Sequence, residues 1–454
     1  MSDGVVGESA ALLANKAPKQ QSPELTADEE ARKQWSLTLG SIIVHITQLI
    51  LIIFFGVFCN EGSVIDESST QDFSTGYVMF TGVLIMMLVG FAYLMTFIGH
   101  YKLGSVGGCL LVTVLAFQFS VFTEAFFAQL YAGSFQLISV NIFDMINSLY
   151  ATAAVLISFG AVIGKTTPTQ LLVLSLFELV FYSLNNQVFQ QGLFQIADCG
   201  GTIVIHLFGA YFGLAVSWML GLPKTEAKES YTSDIFSFIG TLFLWIYWPS
   251  FVGGFLDSGS AQQQRAITNT VLALVGSTTA AFAASVLYSS DGRFRPADIQ
   301  NATLAGGVAI GSVANLTLSP FTPLLIGFVA GHVSTLGFAK LQTLVEGALD
   351  LHDSAGVNNL HGMPAIIGGL ASVVVAAYKT TGGRSSDSAV YSSDNGVYQA
   401  AYQTAGLVVT LFIAVASGLL TGLVMRNVEA EVYYKRFNDS MFWQSKSDDA
   451  VHLD

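Results

Sequence analysis

Twelve long apolar stretches restrict the fold of this chain more than any other feature, because each can cross a lipid bilayer as a helix. A transmembrane helix needs about 20 mostly apolar residues. Only 11% of the residues are charged, against about 25% in a soluble domain. A transmembrane β-barrel would show shorter segments of alternating polarity. We therefore predict an all-α polytopic membrane protein of about 12 transmembrane helices, with these approximate limits: 37–58, 76–98, 104–127, 142–164, 168–188, 199–221, 234–256, 266–288, 299–318, 321–341, 357–378 and 402–425.

The basic residues predict how these helices are oriented. Cytoplasmic loops carry an excess of Lys and Arg. With the N-terminus inside, only Arg265, Lys379 and Arg384 of the 18 basic residues fall on the outer side. This bias predicts an N-in, C-in topology. The chain then divides into a cytoplasmic N-terminal tail (1–36), a transmembrane domain (37–425) and a cytoplasmic C-terminal tail (426–454).

Neither the net charge nor the cysteines point to a soluble partner. The net charge is −13, but the acidic residues lie mainly in tails and loops. The charge therefore says little about a substrate, and we expect no nucleic-acid partner. The three cysteines are widely spaced and odd in number, so they predict neither a disulfide framework nor a metal motif. We expect no cofactor.

An Asp–His pair occurs twice with the same spacing. The stretch "DCGGTIVIH" at the start of the sixth span contains Asp198 and His206, and "DSAGVNNLH" at the start of the eleventh contains Asp353 and His361. Because five spans separate the copies, spans 2–6 and 7–11 are predicted to be two five-helix halves that enter the membrane with opposite orientations. Transporters often have such inverted repeats. Spans 1 and 12 are then an extra N-terminal and a C-terminal helix.

The spacing also predicts the depth of these side chains. Eight residues of helix rise about 12 Å, close to half of a roughly 30 Å hydrocarbon core. The two imidazoles are therefore expected to meet near the midplane, with Asp198 near the outer mouth and Asp353 near the inner mouth. Each carboxylate also lies at a helix N-terminus, where the helix dipole favours negative charge.

Two buried imidazoles favour a pore for a small polar molecule. Imidazole offers one donor and one acceptor and can exchange a proton. A charged ion at the midplane would need carbonyls or acids around it. Two histidines without a third ligand make a poor zinc site, and no nucleophile or triad indicates an enzyme. The residues alone predict neither a metal site nor an enzyme, but a path for a neutral polar solute.

Several long stretches resemble one family. They are "INSLYATAAVLISFGAVIGKTTPTQLL", "DCGGTIVIHLFGAYFGL", "SDIFSFIGTLFLWIYWPSF", "IQNATLAGGVAIG", "IGFVAGHVSTLGF" and "GVNNLHGMPAIIGG", and they cover most of residues 140–375. On these stretches the chain resembles the Rhesus (Rh) glycoproteins of the ammonium transporter (Amt/Mep/Rh) superfamily. The resemblance implies a homotrimer in which each subunit has its own narrow, hydrophobic pore.

The resemblance also assigns roles to single residues. It implies that His206 and His361 are the twin histidines of the pore. Asp198 is the carboxylate below the outer vestibule, where ammonium loses its proton, and Asp353 is its symmetric partner. Phe251 in "YWPSF" is one of two stacked aromatic residues that gate the outer end.

The function that follows from the resemblance is an ammonia/ammonium channel-like facilitator in the plasma membrane or an internal vacuolar membrane. The alternatives are a CO2 channel through the same pore, and a non-transporting sensor or scaffold.

Two positions depart from the family pattern. The second gate residue, a phenylalanine in the family, is Tyr150 here by ungapped alignment of "INSLY". Its hydroxyl could bond an entering ligand or simply swing aside. The stretch "LNNQVFQQG", which includes Asn186 and Gln187, shows no counterpart of an outer-vestibule acid found in animal Rh glycoproteins. We therefore expect weaker recruitment of cations from outside.

Overall fold

The computed structural model describes residues 27–61, 73–223, 229–381, 390–391, 396–428, 438–439 and 442–444. Within these residues, eleven helices are long and apolar enough to cross a membrane, and the predicted all-α polytopic fold is confirmed. The helices are α1 (Ala27–Phe58), α2 (Phe73–Phe97), α3 (Lys102–Ala132), α4 (Ile142–Val162), α5 (Pro168–Phe194), α6 (Thr202–Leu220), α7 (Tyr231–Gly253), α8 (Ala261–Tyr288), the two short helices α9 (Pro296–Ala302) and α10 (Ala305–Ile310), then α11 (Phe321–Leu349), α12 (Asn358–Lys379) and α13 (Gly396–Val428). Two short strands, β1 (Cys59–Glu61) and β2 (Ile138–Val140), pair in parallel.

The helices differ greatly in how far they are buried. In the most apolar stretch of each helix, 89% of residues are buried in α4 and 72% in α6, but only 6% in α1. Ile46, Leu49 and Ile52 on α1 expose about half or more of their surface. In a membrane protein such apolar surface faces lipid or another subunit. Helices α4 and α6 therefore form the centre of the bundle, and α1 lies at its edge.

Local sequence signals set the ends of the central helices. The side chain of Asn141 accepts hydrogen bonds from the N–H groups of Phe143 and Asp144, and Asp144 returns a bond to the N–H of Asn141, so a capping box begins α4. Thr167 and Gln170 form the same arrangement at the start of α5. These reciprocal bonds satisfy N–H groups that a helix start leaves open.

The predicted ninth span, 299–318, is not one continuous helix. It consists of α9 and α10, separated at Thr303–Leu304, followed by an irregular segment that ends before α11. Almost all of its residues from Ile299 to Leu316 are buried. Irregular backbone at membrane depth is tolerated only where other protein groups satisfy it, and side chains of neighbouring helices do so here.

Among the polar side chains that donate hydrogen bonds to carbonyls of this broken span, five belong to α6, α7 and α8. The carbonyls of Gln300, Thr303 and Val308 accept from Thr241, Ser277 and Thr202 at 2.8, 2.7 and 2.6 Å. The irregular segment after α10 is held by the other two. Asn269 donates to Ala314 at 2.8 Å, and Arg265 donates to Asn315 at 2.9 Å. The broken span is therefore hydrogen-bonded to α6, α7 and α8.

The predicted domain limits cut through helices at both ends. Helix α1 begins at Ala27, inside the predicted N-terminal tail, and α13 continues to Val428, into the predicted C-terminal tail. A later part of that tail packs on the start of α3. The carboxylate of Asp439 accepts from the N–H groups of Leu103 and Gly104 at 2.8 and 2.6 Å.

Candidate functional site

The centre of the bundle holds the two histidines of the repeated pair. Nδ1 of His206 lies 3.2 Å from Nδ1 of His361. The ring planes are nearly parallel, with 9° between them, and the centroids are 5.2 Å apart, so the imidazoles meet edge to edge through these nitrogens. Phe91 stacks on His361 and Trp248 on His206, at interplanar angles of 16° and 20°. Four nearly parallel rings therefore lie in one row inside the protein.

The contact between the histidines restricts which ring nitrogens carry a proton. Two neutral imidazoles can share an Nδ1–Nδ1 hydrogen bond only if one donates and the other accepts. The donor then has a bare Nε2 and the acceptor has an Nε2–H. Nε2 of His206 is buried without a hydrogen-bond partner among the described residues. The pair can therefore offer one acceptor and one donor to a small guest molecule.

The same backbone arrangement precedes each histidine. Gly201 and Gly356 have φ angles of +66° and +68°, a left-handed conformation that glycine adopts without steric cost. A wide π turn follows each glycine, and these turns, Thr202–Leu207 and Asn358–Gly362, contain His206 and His361. Two copies of one local structure thus bring the imidazoles together.

The two carboxylates anchor these turns. Oδ2 of Asp198 accepts from the N–H groups of Ile203 and Val204, both at 2.9 Å. The carboxylate of Asp353 accepts from Val357 and Asn358, also at 2.9 Å. Each Asp therefore caps the helix that contains a central histidine, as the spacing predicts.

Burial raises the pKa of both carboxylates. The pKa of Asp198 rises to about 6, although the Ser312 hydroxyl at 2.5 Å and the backbone N–H groups oppose the effect. Burial also raises the pKa of Asp353 to about 6. Each group can therefore gain or lose a proton in weakly acidic to neutral conditions.

Lys165 lies close to the second carboxylate. It is 2% exposed, and its Nζ donates to the Ser217 hydroxyl at 2.6 Å and to the Gly221 and His352 carbonyls at 3.2 and 3.4 Å. Burial lowers the pKa of Lys165 to about 8. The buried ammonium ties the end of α6 to the residue before Asp353.

Tyr150 and Phe251 lie against each other beside the histidines. Their ring centroids are 4.8 Å apart at 69°, and Phe251 lies 5.9 Å from His206. The hydroxyl of Tyr150 donates to the backbone carbonyl of Phe251 at 2.6 Å. Since α7 ends at Gly253, that carbonyl is one that the helix itself leaves open. The donor of the Tyr150 hydroxyl is therefore already engaged with the protein.

Tyr150 and Phe251 lie on the His206 side of the histidine pair. On the His361 side, the ring borders a small, mostly apolar cavity. Its volume is about 20 Å³, enough for one water-sized molecule. The lining comes from α2, α4, α9 and α12 and from the approach to α12, with Phe91, Ile157, Gly160, Asn301 and Val357 among its residues. A molecule of the size of water or ammonia fits beside the imidazole.

Two buried acids were not among the residues predicted from the sequence. Glu124 on α3 is 5% exposed, and its Oε2 accepts from the amides of Asn186 (3.0 Å) and Gln187. The stretch that lacks an acid of its own therefore contacts one from another helix. Glu178 on α5 is fully buried. The available signal was an acidic residue inside a predicted apolar span, which favours a functional or paired group.

No three His, Cys, Asp or Glu side chains come together as a possible metal site in the part of the chain that the structure describes.

Comparisons with known proteins agree with this fold and show the family of the chain. The model of the Ammonium Transporter Family matches residues 41–442. The chain thus belongs to the ammonium transporter family. It is 37% identical to "Ammonium transporter Rh type B" of Takifugu rubripes over 427 residues, which cover 89% of this chain and 92% of that protein. It is 40% identical to the Rh type B protein of Mus musculus over 82% of this chain and 84% of that protein.

A solved structure agrees with these relatives. The structure described as "Nitrosomonas europaea Rh50 and mechanism of conduction by Rhesus protein family of channels" superposes with a TM-score of 0.72 and 30% identity, over 86% of this chain and 94% of that one. Within its family this chain is an Rh-type member of the Amt/Mep/Rh superfamily and a multi-pass integral membrane protein, as its motifs predict.

Proposed function

We propose that this protein is a channel-like facilitator that conducts ammonia along its two central histidines. The observation that carries this proposal is the His206–His361 pair, with Nδ1 atoms 3.2 Å apart between stacked apolar rings. Neutral imidazoles can accept from and donate to NH3, whereas the apolar surroundings give no compensation for the charge of an ion. The names of the Rh type B relatives, which are ammonium transporters, support the same solute.

The mechanism begins with loss of a proton. Ammonium arrives at the outer mouth and gives up its proton to the outer solution near Asp198, whose pKa of about 6 suits a group that is ionised at neutral pH. Uncharged NH3 then passes Tyr150 and Phe251. It moves along His206 and His361 through a path that admits one small molecule at a time, and meets Asp353 near the inner mouth.

The quaternary structure and the orientation are part of the proposal. We propose a homotrimer with one pore in each subunit, and an N-in, C-in topology. Native mass spectrometry of the purified protein should give the mass of three chains. Protease treatment of sealed vesicles should remove tags from both termini only after the cytoplasmic side is opened. Location in the plasma membrane or a vacuolar membrane is decided by microscopy of the tagged protein.

Flux through purified protein in liposomes tests the function. An ammonium gradient should change the internal pH faster than in empty liposomes, and His206→Ala with His361→Ala should change the rate or the selectivity. His45, which is exposed on α1, provides the control His45→Ala, which should transport like the unmodified protein. An unchanged rate and selectivity in the double variant would disprove the role of the pair.

Two further measurements distinguish ammonia conduction from the alternative functions. Simultaneous current recording distinguishes passage of NH3 alone from net transfer of charge. A CO2 gradient, measured by internal acidification with and without ammonium, tests the second solute. Correctly inserted protein that passes neither solute would favour a sensor or scaffold.

A further inference from the structure

Glu178 is a buried acid for which the proposed conduction path has no use. It lies within the membrane-spanning helix α5 and is 0% exposed. Its Oε1 is 2.7 Å from the hydroxyl of Ser158 on α4. Its Oε2 is buried and has no hydrogen-bond partner among the described residues. A carboxylate in such a place would leave one charged oxygen without compensation.

The hydroxyl of Ser158 indicates where the proton of this cluster lies. Ser158 Oγ is also 2.8 Å from the carbonyl oxygen of Gly209 on α6. A carbonyl can only accept, and a serine hydroxyl has a single proton to donate. That proton goes to Gly209, and the short contact with Glu178 then requires a second proton. Only the carboxyl group of Glu178 can supply it, so Glu178 must be a neutral acid.

Among the described residues, no ion pair involves Glu178, so no salt bridge favours its ionised form. The described residues form ion pairs at Arg293–Asp291 and Arg295–Asp298, and the buried Lys165 is engaged by Ser217, Gly221 and His352. In the neutral acid the open Oε2 is a carbonyl oxygen. Such an oxygen tolerates incomplete hydrogen bonding far better than a carboxylate does.

The cluster lies directly behind the conduction path. Ser158 is flanked on α4 by Ile157 and Gly160, which line the cavity beside His361. Gly209 follows His206 by about one turn of α6. The chain of bonds from Glu178 to Ser158 to Gly209 therefore joins three helices where α4 forms the cavity wall and α6 contains the first histidine.

We propose that Glu178 is a permanently neutral carboxylic acid that positions α4 and α6 around the histidine pair through Ser158 and Gly209. It is a positioning residue, because it acts through Ser158 and contacts neither histidine. Its neutrality also leaves the pore wall without a fixed charge at this depth. The effect on flux rests on the proposed conduction along the histidines, but the protonation state does not.

Infrared spectroscopy tests the protonation state independently of transport. At pH 9 Asp198 and Asp353 are ionised, so the difference between the spectra of the unmodified protein and Glu178→Gln should show the carbonyl stretch of one protonated carboxyl group. Absence of that band would overturn the proposal, whatever the flux assay shows.

Flux measurements test the positioning role. Glu178→Gln keeps a donor for Ser158 and should retain the flux and its pH profile. Glu178→Ala and Ser158→Ala each break the chain of bonds and should lower flux by about tenfold, and the double variant should lose no more than either single one. If Glu178→Ala does not fold, the Gln variant and the infrared band still decide.

A folded Gln variant with strongly reduced flux would overturn the proposal by showing that the acid proton itself moves. If His206→Ala with His361→Ala leaves flux unchanged while the infrared band is present, the proposed function fails but the neutral acid stands.

Discussion

Replacement of Tyr150 by Phe tests whether the hydroxyl restrains the aromatic gate. The change removes the 2.6 Å bond to the Phe251 carbonyl and keeps the ring, which lies 4.8 Å from that of Phe251. One buried hydrogen bond contributes about 0.5–1.5 kcal/mol. If this hydrogen bond must break whenever the path opens, then removal of the hydroxyl favours the open form by about 1 kcal/mol. The ratio of open to closed forms then rises about fivefold.

We therefore expect Tyr150→Phe to conduct up to about fivefold faster in the liposome assay. Its unfolding free energy should fall by about 1 kcal/mol. Tyr231→Phe is the matched control. Tyr231 begins α7, the helix that contains Phe251 near its other end, and is 82% exposed, so its hydroxyl should not affect the gate. An equal or lower flux in a folded Tyr150→Phe protein would refute the restraint, and a lower flux would indicate that the hydroxyl contacts the entering solute.

Three further changes address close packing, hydrogen bonding and pH. Gly311→Ala should lower the midpoint temperature of thermal unfolding, because its Cβ would lie 2.8 Å from the Gly200 carbonyl and overpacking costs about 1–3 kcal/mol. The control Gly347→Ala, whose Cβ would have nothing within 4 Å, should leave that temperature unchanged. Equal midpoints for the two variants would contradict this account. Asn269→Ala should cost about 1–3 kcal/mol in the same measurement, because the Ala314 and Leu316 carbonyls lose a donor; an unchanged midpoint would show that water replaces it. Burial raises the pKa of Asp198 from 3.8 to about 6. Between these two pH values the folded protein holds a proton on Asp198 that the unfolded chain has lost. The contribution of this group to stability therefore falls as the pH rises through that window. Transport that needs the carboxylate should fall below pH 6, and a pH-dependent loss that persists in Asp198→Asn would place the titrating group elsewhere.

The sequence predicted the parts of this fold that follow from periodicity and repetition. Apolar runs gave nearly every span, because a bilayer demands about 20 apolar residues whatever the tertiary contacts. The equal spacing of the two Asp–His pairs predicted that His206 and His361 meet, because each histidine was expected near the midplane, eight residues of helix from a mouth of the path. This inference needed no knowledge of the residues between them.

The features that escaped prediction depend on partners remote in the chain. The ninth span is as apolar as a helix, and its interruption is stable because Thr202, Thr241 and Asn269 on other helices take its carbonyls. The engagement of the Tyr150 hydroxyl depends likewise on where α7 ends. These features depend on hydrogen-bond partners that are distant in the chain, and the local sequence therefore does not predict them.

The broken span also has a consequence for biosynthesis. The side chains on α6, α7 and α8 that hold its carbonyls belong to Thr202, Thr241, Arg265, Asn269 and Ser277, and all five precede residue 299 in the chain. The carbonyl of Thr317, near the end of the span, accepts instead from the later residue Lys379. When the ribosome delivers the segment up to Leu316, these five donors have already been synthesised. An irregular stretch with no hydrogen-bonded ladder of its own can thus pass from the insertion machinery directly onto a prepared surface. Helices α11 to α13 then close over it.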